Sequence, residues 1–161
     1  MSKVMVIGAG PAGIMAAITA AENHNVVLVD GNEKIAKKLF ITGKGRCNIT
    51  NGKDIGDFFD YIPGNPHFLY SALYSFTNND VIEMIESEGT KLKIERGGRI
   101  FPESDKSSDI IKALSKKLSK AKVDIKLNSK VTDVFFENNT IKSVEINNSQ
   151  KISADYFIIA T

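Results

Sequence analysis

Gly8-Ala9-Gly10-Pro11-Ala12-Gly13 follows directly on Val4–Ile7, a short apolar and mostly β-branched run, and leads into residues 12–22, which are rich in strong helix formers. This order of apolar strand, glycine turn and helix constrains the fold more than any other feature of the sequence. A fully apolar short run reads as a buried parallel strand rather than a half-exposed one. Pro11 stands where a first helical turn tolerates a missing N–H. Val26–Val29 repeats the buried-strand pattern and ends on Asp30, so residues 3–30 predict a βαβ unit. In a G-x-G-x-x-G turn the first glycine makes the tight bend, the second lets a pyrophosphate approach the backbone, and the third lets the helix lie close to the strand. Gly8, Gly10 and Gly13 therefore mark a candidate dinucleotide-binding turn. Asp30 is placed to accept a hydrogen bond from a ribose 2′-hydroxyl, and its charge would repel a 2′-phosphate, so unphosphorylated adenosine is the expected guest and NADP is disfavoured there. A glycine turn that merely packs a helix on a sheet is the alternative. FAD and NAD present the same adenosine, and the turn does not separate them.

Composition narrows the remaining classes. The chain has 161 residues, a length that as a prior corresponds to one domain, with 42% hydrophobic and 25% charged residues. Lys and Arg number 21 against 19 Asp and Glu, a balance that argues against a dedicated nucleic-acid binder. Cys47 is the only cysteine and has no internal disulfide partner; the N-terminus lacks an export-type apolar run, and a cytoplasmic address is expected. The longest helical apolar run, Ile14–Ala21, is interrupted by Thr19 and stops at Glu22, well short of the roughly 18 residues of a membrane span. His24 and His67 have no metal-ligand cluster around them, and no metal is expected.

After Asp30 about 90 residues intervene before the next core strand. A Gly- and Asn-containing loop (Thr42–Gly52) precedes helical patterns near Phe68–Phe76 and Asp80–Glu88, with Gly89 as C-cap. Leu92–Glu95 and Arg99–Phe101 flank Gly97-Gly98, a hairpin signal ended by Pro102. Ile110, Ile111, Leu114, Leu118 and Ala121 recur at helical spacing with lysines largely opposite, which predicts an amphipathic surface helix and a solvated lysine face rather than a nucleic-acid patch. Val123–Leu127 predicts a third core strand. Val131–Phe136, Ile141–Ile146 and a short strand near Lys151 predict a meander turning at Asn138-Asn139, and Tyr156–Ala160 predicts a fourth core strand.

The Thr42–Asn51 loop carries the second candidate site. Gly43 and Gly45 free backbone N–H groups to turn toward an anion, and Lys44 and Arg46 add positive charge; a solvated surface turn is the alternative. The loop lacks the glycine spacing and Lys-Ser or Lys-Thr pair of a Walker A site. Cys47 without a second cysteine excludes dithiol chemistry within one chain, and a packing role is the expected one. Arg99 reads as an exposed hairpin charge, with an anionic substrate as the alternative.

The long insertion after the second strand, followed by helix, strand, meander and strand, resembles the FAD domain of glutathione-reductase-like flavoproteins. More narrowly, the run Lys37 to Asn51 (KKLFITGKGRCNITN) resembles the signature of the YhiN/BaiN-like NAD(P)/FAD-dependent oxidoreductase family, and Gly98-Arg99-Ile100-Phe101-Pro102 with Ser104 resembles a second block. The resemblance implies an α/β, Rossmann-like FAD-binding domain over 1–161, with a parallel sheet, a three-stranded meander and a helical and hairpin insertion at about 52–102. It implies that Gly8, Gly10, Pro11 and Ala12 meet the FAD pyrophosphate and Asp30 the adenosine ribose. Arg46, Cys47 and Asn48 would lie along the cofactor beside Gly45, with Lys38 nearby; the Val131 backbone would pair with the adenine edge, and Thr161 would approach the phosphate side. Ala36 stands where the family usually has glycine. Family members continue through an inserted substrate domain and a C-terminal segment that completes the flavin site, so a C-terminally truncated chain, inactive alone, is expected. The resulting expectation is the FAD-binding part of a flavoprotein that passes hydride from NAD(P)H to an unknown small organic substrate. The alternative is a non-catalytic fragment that holds ADP. The meander before Tyr156 argues against an NAD-dependent dehydrogenase.

Overall fold

The apolar residues of the first two predicted strands can be buried on both faces only if something covers each side of the sheet they join. The computed structural model, which describes residues 1–161, shows what does so. In chain order its strands are β1 (Lys3–Ile7), β2 (Asn25–Val29), β3 (Thr50–Asn51), β4 (Leu92–Glu95), β5 (Arg99–Pro102), β6 (Asp124–Lys126), β7 (Val131–Glu137), β8 (Thr140–Ile146), β9 (Gln150–Ser153) and β10 (Tyr156–Ile159). The α-helices are α1 (Pro11–Ala21), α2 (Tyr70–Ser75), α3 (Asn78–Glu86) and α4 (Ser107–Lys120). Short 3-10 turns fill Lys37–Phe40, Thr42–Gly45, Ile55–Tyr61 and Pro66–Leu69. The chain divides into two compact units, Met1–Lys38 with Leu114–Thr161, and Leu39–Ala113.

In the first unit β10, β1, β2 and β6 form a parallel sheet in that order. This is the Rossmann-like parallel sheet that the family resemblance implies, with β1 central and the chain switching sides from β2 and β6 to β10. Alternation along the strands decides which residues go where. Met5, Ile7 and Val29 point to one face and form a buried cluster with Val144 and Ile146 of the meander, against which Val27, Val131, Val134, Ile152 and Phe157 also pack. Val4, Val6, Val26 and Leu28 are buried on the opposite face, where α1 contributes the buried Ile14 and Ala17. The meander β7-β8-β9 is thus the cover of one face and α1 of the other. Its tight connections use Asn138-Asn139 and Asn147-Asn148, all four at positive φ, a backbone conformation that asparagine tolerates better than most residues.

In the second unit β3, β5 and β4 form an antiparallel sheet. The β4–β5 hairpin turns through Gly97 (φ +79°) and Gly98 (φ +77°), as the glycine pair predicts. The unit begins earlier and ends later than the expected insertion at about 52–102. Within it Thr50 and Asn51 add a strand to Ile100 and Arg99, and the Thr90 hydroxyl donates to the Asp109 carbonyl at the start of α4. Helix α3 opens with a reciprocal cap between Thr77 and Asp80, which the sequence pattern near Asp80 left unread.

Among the non-glycine residues at positive φ, Ala36 is strained at a buried position. Ala36 is buried, sits at φ +52°, and donates its N–H to the Ala9 carbonyl at 2.7 Å. An L-residue pays roughly 1–2 kcal/mol for this region, whereas glycine loses about 0.4–1 kcal/mol through its freer unfolded chain. Ala36→Gly is therefore expected to raise stability by about 0.5–1 kcal/mol. The check is the urea midpoint at unchanged m-value; a lower midpoint would show that the Ala36 methyl contributes more than the strain costs.

Candidate functional site

The carboxyl ends of β1, β2 and β10 open onto a cavity of about 400 Å³, lined by Gly8–Pro11, Asp30–Asn32, Lys37, Lys38, Ser129–Val131, Ala160 and Thr161. It lies at the point where strand order reverses, where open α/β sheets bind their ligands. All of these residues belong to the first unit.

The three glycines have three separable geometries. Gly8 sits at φ +106°, donates its N–H to the Val29 carbonyl at 2.8 Å, and lies so close to β10 that a Cβ would stand 2.5 Å from the Ala160 oxygen. Gly13 faces back onto the turn, where a Cβ would overlap the Gly8 carbonyl oxygen. Gly10, at φ −74° and ψ 176°, has no atom within 4 Å of where its Cβ would be. Nothing in the fold requires glycine there; the open space in front of Gly10 is the space a ligand backbone would take. Helix α1 begins at Pro11 with no side-chain cap and no acidic residue in its first turn, and its first internal bond is Ile14 N–H to Gly10 C=O at 2.9 Å. The N–H groups of Ala12 and Gly13 precede that bond, so the turn presents donors and the positive end of the helix dipole to an anion.

Asp30 closes the other end. Its Oδ2 accepts the Ala9 N–H at 2.7 Å, and its Oδ1 accepts both the backbone N–H and the side-chain amide of Asn32, at 2.7 and 2.8 Å. Burial pushes this carboxyl up, but the Asn32 and Ala9 donors and the Lys37 charge outweigh it and hold it below the usual 3.8. A carboxylate so held is ionised throughout the neutral range and suited to a hydroxyl rather than to a phosphate.

The structure brings Gly8, Gly10, Pro11, Asp30, Lys38, Val131 and Thr161 to this one cavity, with Ala12 and Gly13 in the adjoining first turn of α1. Val131 opens β7 beside a register shift, at the floor that Ser129 and Asn128 tie to the Asp30 and Asn32 carbonyls. Gly45, Arg46, Cys47 and Asn48 are in the second unit. There Gly43, Lys44, Gly45 and Cys47 all take positive φ, and the Arg46 guanidinium donates to Glu95 at 2.7 Å and Asp105 at 3.2 Å while lying 4.2 Å over the Phe101 ring. Arg46 thus balances carboxylates of its own unit and pins the loop. Cys47 is buried, and burial pushes its thiol up despite a hydrogen bond with Thr42, which leaves it a protonated and weak nucleophile. The Asn48 amide faces the Thr50 and Ile100 carbonyls at 3.2 Å each, as donor in the orientation that satisfies both. Arg99 Nε–H donates to the Arg96 carbonyl, three residues back across the hairpin turn, at 3.1 Å.

Sequence reading missed Asn32, Lys37, Ser129 and Lys130 as lining residues. For Asn32 a signal existed: Asp-Gly-Asn after a buried strand is a turn in which the aspartate side chain takes the N–H two residues on. For Ser129 and Lys130 none did, because they reach the cavity from a loop about 100 positions away along the chain.

The fold and this cavity define a Rossmann-like nucleotide-binding domain. Residues 2–161 match the model of the HI0933-like protein Rossmann domain, and the chain belongs to that family. It is 36% identical over 128 residues to the 3-dehydro-bile acid delta(4,6)-reductase of Clostridium scindens, covering 78% of this chain and 31% of that protein. It is 31% identical over 159 residues to the ribosomal RNA dihydrouridine synthase of Escherichia coli K12, covering 98% of this chain and 38% of that protein. The chain thus spans about a third of the length of these curated relatives. Among solved structures, Thermovibrio ammonificans THI4 superposes over 99% of this chain and 57% of its own with a TM-score of 0.65 at 15% identity. CtdE, solved in complex with FAD, does so over 99% and 38% with a TM-score of 0.60 at 16% identity. These two show the shared fold.

Two outcomes follow from the geometry. Gly8→Ala and Gly13→Ala are expected to lower the thermal midpoint markedly, because each new Cβ meets backbone rather than a movable side chain, whereas Gly10→Ala should change stability by no more than about 0.5 kcal/mol. Thermal unfolding of the three variants checks this, and equal losses at all three would contradict it. A carboxyl held below its ordinary value stabilises the fold above that value and loses this contribution as pH falls through the lowered one. The stability gap between the native chain and Asp30→Asn should therefore be present at pH 7 and close below about pH 4, as read from urea midpoints across that range.

Proposed function

We propose that this chain is the FAD-binding part of a flavoprotein oxidoreductase, with the glycine turn holding the pyrophosphate and Asp30 the adenosine ribose. The observation that carries this reading is the open face at Gly10, beside glycines that packing does require, within hydrogen-bonded reach of a rigid carboxylate. The residues present fit the group. The first-turn N–H groups of α1 would meet the diphosphate, Asp30 would accept from a ribose hydroxyl, and the Val131 backbone would lie at the adenine edge. Lys37, Lys38 and Lys130 add positive charge around the same cavity. The assignment of Gly45, Arg46, Cys47 and Asn48 to the cofactor rests on the sequence resemblance alone.

A bound flavin would supply the hydride chemistry. The chain's own contribution is to bind and orient the adenosine half and to keep Asp30 ionised. Similarity to the two curated relatives supports extending their shared chemistry to the complete protein. Both names describe reductions of cyclic compounds, so we take the substrate to be an unsaturated cyclic compound; a reduced nicotinamide as electron donor is what the family resemblance implies. The remainder of the complete polypeptide, in a protein about two and a half times this length, would hold the substrate and finish the flavin site.

The complete protein is expected to bind FAD stoichiometrically, with flavin absorbance, and to be bleached by NADH or NADPH. Gly10→Ala should weaken FAD binding at least tenfold without loss of fold, since a methyl group would fill the space the pyrophosphate needs. Titration of the complete protein by flavin fluorescence checks both. A protein that binds ADP but neither FAD nor reduced nicotinamide would instead identify a non-catalytic nucleotide-binding domain.

A further inference from the structure

Asp30 is the only acidic residue lining the cavity, and its two oxygens are not equivalent. A carboxylate offers about four lone-pair positions, two on each oxygen. Oδ1 receives two donors, the N–H and the side-chain amide of Asn32, so both of its positions are filled. Oδ2 receives one, the Ala9 N–H, and keeps one position open. Asn32 is itself held: Lys37 Nζ donates to its Oδ1 at 3.2 Å, which fixes the amide with its nitrogen toward Asp30. The reverse orientation would set oxygen against carboxylate and NH2 against ammonium. Asn32 and Lys37 also line the cavity, so the pair stands beside the position a ribose would occupy.

We propose that Asn32, backed by Lys37, is a positioning residue that saturates one oxygen of Asp30 and leaves a single acceptor, so that Asp30 reads one hydroxyl of the adenosine ribose rather than both. The proposal rests on the nucleotide-binding reading above and deepens it. A carboxylate with both oxygens open would accept the 2′- and 3′-hydroxyls side by side, and loss of either would weaken binding to a similar degree. With Oδ1 filled, one hydroxyl contributes a charge-assisted hydrogen bond and the other does not. Asn32→Ala removes the side-chain donor while leaving the backbone N–H, and therefore opens one position on Oδ1. The second hydroxyl then gains an acceptor.

The test is competition of ADP, 2′-deoxy-ADP and 3′-deoxy-ADP against FAD rebinding to the deflavinated complete protein, read by flavin fluorescence. In the native protein one deoxy analogue is expected to bind about tenfold or more weakly than ADP, and the other within about twofold. In Asn32→Ala, at an unchanged thermal midpoint, the insensitive hydroxyl should become sensitive by about threefold or more. Lys37→Met should move the pattern the same way and Lys37→Arg should restore it, which a purely structural role would not produce. Equal sensitivity to both hydroxyls in the native protein, or an Asn32→Ala pattern identical to the native one, overturns the assignment of Asn32 while leaving the adenosine site standing. Failure of ADP itself to compete would remove the adenosine site, and the Asn32 proposal with it.

Discussion

The close approach of Gly8 to the end of β10 is the constraint on which the rest of the first unit depends. Gly8 has to bend at φ +106°, reach across to the Val29 carbonyl and leave no room for a side chain beside Ala160. That single contact draws β10, β1 and β2 together at their carboxyl ends. It also aims α1 so that its open N-terminus faces the resulting crevice. Gly13 then lets the helix lie on the turn itself. Without this bend the helix start, Asp30 and Val131 would be three surface features; with it they line one cavity.

The meander has a corresponding structural part. A parallel sheet needs both faces covered, and α1 covers one. Residues 131–153 cover the other through Val144 and Ile146 packed on Met5, Ile7 and Val29. In doing so they deliver Ser129, Lys130 and Val131 to the rim of the cavity. Stability and site construction are therefore coupled in one element. The backbone bonds from Asn128 N–H to the Asn32 carbonyl and from Ser129 N–H to the Asp30 carbonyl extend that coupling to the backbone that carries the carboxylate. The second unit is organised by different means, an antiparallel sheet and a charge network in which Arg46, Lys93, Glu95 and Asp105 neutralise one another. These ion pairs are partly exposed, so their value lies more in fixing the geometry of the loop around Gly43 to Cys47 than in stability.

Most of the element order was legible along the chain, because it rests on local signals. Buried strands announce themselves as short apolar runs, α4 as a three- and four-residue apolar period, and the hairpins as Gly97-Gly98 and Asn138-Asn139 at positions that need positive φ. The 3-10 turns between Lys37 and Leu69 and the two-residue strand β3 carried no such signal. A strand as short as Thr50–Asn51 exists only because Arg99 and Ile100 lie beside it. Ala36 marks another gap. Its residue type gives no hint of the left-handed backbone it takes where its N–H meets the Ala9 carbonyl.

By itself the sequence determined the class of fold and the identity of the glycine turn that lines the cavity, since glycine spacing, the preceding strand, the following helix and the terminal aspartate are all encoded within thirty neighbouring residues. Tertiary structure alone decided how those residues divide their tasks. It separated the two glycines that packing requires from Gly10, which faces open space. It filled one oxygen of Asp30 with Asn32 and left a position on the other, and it committed Arg46 to Glu95 and Asp105. The physical reason is that a residue's local conformation follows from its own chain neighbours, whereas the donors, acceptors and free space around it are set by residues that only folding brings near.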